Sequence, residues 1–70
     1  VDPLERFAAN MKALRAERGW SQEALADRSG LHSTAISKLE RCARSPEFQT
    51  VVTLATAFEV PAGRLWEGIP

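Results

Sequence analysis

Seventy residues are enough for one small domain, and 9 Lys+Arg against 9 Asp+Glu give a formal net charge of zero. Hydrophobic residues are 44% of the chain, but 11 of them are alanine, so about 20 larger apolar side chains must supply one core of modest stability. These figures exclude separate catalytic and substrate domains; there is no apolar run near the ~18 residues of a membrane span, and one Cys with one His builds neither an internal disulfide nor a four-ligand zinc site.

The first helix is the clearest element. Asp2 can cap it and Pro3 suits its first position. Leu4, Phe7, Ala8, Met11 and Leu14 repeat at helical spacing, and Gly19 after Arg18 takes the left-handed position that ends it. Ser21 is the next cap, with Glu23 favouring the positive helix end that follows. The second helix is expected from Gln22 to Arg28, with Leu25 and the small Ala26 inward, and Ser29-Gly30 breaks it. The third is expected from Leu31 to Glu40, capped by His32 or Ser33. Ile36 and Leu39 face in, and Leu31 and Ile36 are spaced as a hydrophobic staple about a His32 cap.

Arg41 to Pro46 has no apolar period and is expected to be a loop. The fourth helix is expected from Glu47 to Phe58, with Phe48, Val51, Leu54, Ala55 and Phe58 inward. Val60-Pro61 breaks the chain, and Ala62 to Trp66 is expected to form a last short helix before Gly68-Ile69-Pro70. No segment alternates like a strand. The expected fold is an all-α, compact five-helix bundle in a single domain spanning residues 1–70.

Charge is unevenly spread. Residues 1–11 sum to −1, residues 12–46 to +3 and residues 47–70 to −2. A basic middle beside an acidic C-terminal third hints at an anionic partner on one face. Within that middle, Gln22 to Glu40 reads as two short helices meeting through a tight turn at Gly30, a helix-turn-helix core over about residues 21–40. The geometry suits the major groove, which admits one helix provided that helix projects from the protein body. Ser33, Thr34, Ser37 and Lys38 are left on the outward face, and none is acidic.

Gln22-Glu23-Ala24-Leu25-Ala26, Ser29-Gly30-Leu31, Ile36-Ser37-Lys38-Leu39-Glu40-Arg41 and Pro46 together resemble the Cro and lambda-repressor-like helix-turn-helix domains, the XRE family. The resemblance runs from about Phe7 to Leu65. It implies a bacterial or phage DNA-binding transcriptional regulator, acting in the cytoplasm at the nucleoid, usually a homodimer on an inverted-repeat, double-stranded DNA operator, with repressor, activator and dual roles all open.

Position by position, the resemblance places Ser33, Thr34 and Lys38 at base edges with Ser37 beside them. It places Gln22, Arg41 and Arg44 on phosphates, and makes Arg15 and Glu40 an ion pair tying the first helix to the end of the third. The chemistry agrees. Lys38 can donate to guanine O6 or N7 and hydroxyls can bond either kind of partner. A Gln at a helix N-terminus sits where backbone N–H groups also face an anion. Cys42 and Glu59 stand where the family often has Gly, which costs roughly 1 kcal/mol each if the backbone there stays left-handed.

Phe58, Leu65, Trp66 and Ile69 could close the bottom of the core or form an exposed apolar patch for a partner, and the expectation is that they form the interface of a symmetric dimer. The alternative is an antitoxin or protein-interaction module of the same fold, docking a toxin or other protein through that patch. No nucleophile–base–orienter set, metal site or phosphate loop is present in the sequence, so neither an enzyme nor a cofactor is expected. No membrane association is expected either.

Overall fold

The structure, a computed structural model, describes residues 2–70. Four α-helices and one 3₁₀ turn follow in order: α1 (Pro3–Arg18), α2 (Gln22–Ser29), α3 (Ser33–Glu40), α4 (Phe48–Phe58) and the turn Ala62–Trp66. Among the described residues there is no strand.

Local chemistry sets the helix ends. Asp2 Oδ1 accepts from the N–H of Leu4 at 2.9 Å, and Pro3 occupies a first-turn position whose N–H would be orphaned anyway. Gly19 ends α1 at φ 68°, where its N–H reaches Ala16 O and the N–H of Trp20 reaches Arg15 O. Ser21 Oγ caps α2 by accepting from the N–H of Ala24 at 3.0 Å. Gly30, at φ 80°, supplies the left-handed turn into α3.

α3 starts two residues later than the periodicity predicts, at Ser33, with His32 as N-cap and no side-chain capping bond. Leu31 stays outside the helix yet packs on the core that holds Ile36, as a staple requires. α4 starts at Phe48, with Glu47 as its extended N-cap. The fifth helical element is a 3₁₀ turn.

The core gathers one stripe from each helix: Phe7, Met11 and Leu14 from α1, Leu25 from α2, Ile36 and Leu39 from α3, Val51, Leu54, Ala55 and Phe58 from α4, and Leu65 from the 3₁₀ turn. Two expectations fail here. Phe48 shares the angular face of Val51 and Phe58 but is 79% exposed, because at the first residue of α4 no neighbouring element extends far enough to cover it. Phe58 and Leu65, expected in the dimer patch, are both 0% exposed and belong to the protomer's own core. The 3₁₀ turn carrying Leu65 is fastened by Asn10, whose Nδ2 donates to Leu65 O at 2.9 Å and Glu67 O at 3.0 Å. Burying a Leu side chain in this way contributes roughly 1.5–3 kcal/mol.

Candidate nucleic-acid interface

α3 lies against α1 and α2 on its Ile36–Leu39 side and turns its other side to solvent. Ser33, Thr34 and Lys38 are exposed and Ser37 is half-buried. Helical spacing sets Ser33 beneath Ser37 and Thr34 beneath Lys38 as i, i+4 pairs. The Ser33–Ser37 row continues into Arg41, whose Nε donates to Ser37 Oγ at 3.2 Å. That bond uses Nε and leaves the two terminal nitrogens of the exposed Arg41 guanidinium beside the outward face of α3.

Behind this face sits a buried polar cluster that joins three helices. Glu40, at the end of α3, is 4% exposed. Arg15 of α1 holds it through paired bonds, Nε to Oε2 at 2.8 Å and Nη2 to Oε1 at 2.9 Å. Arg15 Nη1 also donates to Trp20 O at 3.0 Å. Gln22, the first residue of α2, donates from Nε2 to Glu40 Oε1 at 3.1 Å. The hydrogen bond from Arg15 to Glu40 raises the Arg15 pKa above its ordinary value; desolvation opposes the shift and the Coulombic attraction to Glu40 adds to it. Among the described residues no buried side-chain nitrogen or oxygen lacks a partner.

The cluster has a geometric consequence. An ionised carboxylate only accepts, so Glu40 dictates which end of the Gln22 amide is Nε2. One Nε2 hydrogen goes to Glu40 and the other is free to meet an anion at the start of α2, where backbone N–H groups point outward. Gln22 is half-buried.

After α3 the chain reverses at Cys42, which holds φ 60°. Its N–H donates to Leu39 O at 3.2 Å, the N–H of Ala43 donates to Lys38 O at 2.9 Å, and Sγ lies 3.8 Å from Leu4 O. These bonds satisfy the last carbonyls of α3, so a left-handed non-glycine residue is retained at a cost of about 1–2 kcal/mol. Glu59 does the same at the end of α4 at φ 59°. Arg44, two residues beyond Cys42, is exposed.

One group was not legible as a unit in the sequence. The Trp20 and Phe58 rings stack at 5.7 Å, and Arg28 lies over Trp20 at 4.4 Å. Arg18 spans both rings and donates from Nη2 to Phe58 O at 2.7 Å. The only sequence signal for it is a basic residue in the last turn of α1, which favours the helix dipole in any context. This stack locks the α1–α2 corner to the end of α4 and so braces the support of α3.

The remainder of the expected dimer patch is a shallow apolar groove. Trp66, 45% exposed, and Ile69 line it together with Leu4, Phe7, Pro46 and Val51, over a volume of about 370 Å³.

Comparison with known proteins is in keeping with this geometry. The family described as "Helix-turn-helix" matches residues 11–65. The control protein C.SmaI of Serratia marcescens is 37% identical over 65 residues, spanning 93% of this chain and 77% of that protein. The transcriptional regulator SutR of Escherichia coli is 36% identical over 62 residues, 87% of this chain, but the match spans only 35% of that longer protein. Among solved structures, the restriction-modification controller protein C.AhdI of Aeromonas hydrophila superposes with a TM-score of 0.85 at 34% identity, covering 89% of this chain and 94% of that one. A hypothetical transcription factor from Neisseria superposes at 0.89 with 35% identity, covering 93% and 75%.

Proposed function

The chain belongs to the helix-turn-helix family of Cro and lambda-repressor-like (XRE) domains, and on that premise we propose that it is a sequence-specific DNA-binding transcriptional regulator whose α3 enters the major groove. The observation that carries the proposal is the outward face of α3. It is polar and free of acidic residues, because its one carboxylate, Glu40, is turned inward and neutralised by Arg15. Lys38, Thr34, Ser33 and Ser37 read base edges. Gln22, Arg41 and Arg44 bond phosphates and fix the register. The names of the relatives, a control protein, a transcriptional regulator and a restriction-modification controller, support the same reading.

The protein acts as a C2 dimer on an inverted repeat. Two copies of α3 then lie about one DNA turn, ~34 Å, apart. With Phe58 and Leu65 inside the core, the surface left for self-association is the groove at Trp66 and Ile69, and Phe48 at the start of α4 is a second exposed apolar side chain. Two large apolar side chains exposed on a 70-residue domain are the feature that favours a covering copy.

Selection of bound duplexes from a random pool, at about 0.15 M salt, tests the function. An enriched inverted repeat with half-site centres about 10 base pairs apart is the expected result. Binding without enrichment, falling steeply with salt, would leave only the non-specific electrostatic component and refute sequence-specific regulation.

A further inference from the structure

Resting on that reading of α3, we infer that Ser37 and Lys38 select guanine, so that each half-site carries a fixed G·C pair read from its guanine edge. The argument is the polarity of the hydrogen-bonding groups on the helix. A serine hydroxyl has one proton and two lone pairs. In Ser37 one lone pair already accepts from Arg41 Nε at 3.2 Å. Its proton has no acceptor among the described residues. Thr56 differs, spending its proton on Val52 O one turn back at 2.8 Å. Ser37 therefore keeps its proton for an outside acceptor, polarised by the guanidinium that bonds its oxygen.

Lys38, next in sequence and exposed, has three donors and no acceptor. The nearest carboxylate on α3 is unavailable: Glu40 is 4% exposed and takes bonds from Arg15 and Gln22. The centre of the reading face is thus rich in donors and cationic. Adenine N6 and cytosine N4 require acceptors. Guanine presents two acceptors side by side, O6 and N7, whereas thymine presents one beside a methyl group. Guanine is the base whose edge this face complements.

Lys38→Gln supplies the test, since a glutamine amide carries both a donor and an acceptor and pairs with adenine N6 and N7. Lys38 is exposed, so the fold is undisturbed. The parent and Lys38→Gln proteins are each taken through selection from the same random duplex pool. Binding is then measured on the best parental duplex and on its 7-deazaguanine version, which loses N7 but keeps base pairing. The expected results are a fixed guanine in each parental half-site, an affinity about tenfold lower on 7-deazaguanine at that position, and a change from guanine to adenine there in the Lys38→Gln selection. Ser37→Ala should lower the preference for guanine over adenine at that same base pair by a comparable factor.

Selected half-sites built only of A·T pairs would overturn the inference while leaving sequence-specific binding intact. So would a Lys38→Gln protein that binds every duplex more weakly by the same factor with an unchanged base preference, the signature of a phosphate contact. No enrichment with either protein would instead remove the regulatory reading itself, and this inference with it.

Discussion

Replacing Arg15 by Met should destabilise the domain more than replacing its partner Glu40 by Met, and the double replacement should recover much of the loss. Side-chain exposure in the pair is unequal, 22% for Arg15 and 3% for Glu40. Without Arg15, a carboxylate is stranded in the interior with only Gln22 to answer it, and breaking a buried pair in this way costs about 3–5 kcal/mol. Without Glu40, the guanidinium can swing into water from its half-open position and keeps its bond to Trp20 O. The expected loss is then about 1–3 kcal/mol, that of charge-assisted hydrogen bonds.

A domain of 70 residues has roughly 3.5–10 kcal/mol of total stability, so Arg15→Met should sit close to its unfolding threshold. Urea denaturation followed by far-UV circular dichroism reads the difference. With a slope of about 1 kcal/mol/M, the Arg15→Met midpoint should fall by about 3–5 M and that of Glu40→Met by about 1–3 M. In the double variant two apolar side chains of similar length replace the pair, and its midpoint should lie above that of Arg15→Met. Equal losses in the two single variants, or a double variant less stable than either, would refute a desolvated carboxylate as the source of the cost.

Other consequences follow from the same geometry. Glu59→Gly should raise stability by about 0.5–1 kcal/mol, because Glu59 holds φ 59° and is exposed; a lower thermal midpoint would show that its side chain contributes more than the strain. Arg41→Ala and Arg44→Ala should each lower DNA affinity on all sequences and flatten the dependence of log K on log salt by about 0.9. An unchanged slope would take that residue off the phosphate backbone. Trp66→Ala should weaken self-association in sedimentation while leaving the far-UV spectrum folded, whereas Leu65→Ala should cost about 2–5 kcal/mol of stability through a cavity. The reverse pattern would exchange the roles of these neighbours.

The helices, their caps and their order were legible because short-range chemistry decides them. Asp2, Ser21, Gly19 and Gly30 each satisfy or turn a helix end using atoms within a few residues. What periodicity cannot supply is reach. It assigns Phe48 and Phe58 to the same face of α4, yet Phe58 meets Trp20 and Arg18 while Phe48 meets solvent. Composition likewise groups Leu65 with Trp66 as an apolar pair, but adjacent residues in a tight turn point in different directions. The same limit hid the Gln22–Glu40 bond. Each residue has a motif position of its own, while their meeting depends on the crossing of α2 with α3, which no local pattern encodes.

A net charge of zero gives no overall attraction to a polyanion, and the distances answer that objection. The domain measures 30 × 23 × 22 Å, while charges in physiological salt are screened over ~8 Å. A phosphate at α3 therefore responds to its immediate surroundings rather than to the total. There the one acidic group on α3 is buried against Arg15, leaving Lys38, Arg41 and Arg44 exposed. Elsewhere acidic groups are partly answered at home, with Glu17 against Arg18 and Arg64 and Glu67 against Arg64. The pairing of Glu40 thus has two effects that a sum over the sequence cannot register. It joins three helices, and it withdraws a negative charge from the outward face of α3, the helix proposed to meet DNA. Reversing only the second effect, by an exposed Thr34→Glu that leaves the cluster intact, should lower affinity for every duplex without lowering the urea midpoint. An unchanged affinity would place the DNA on another face.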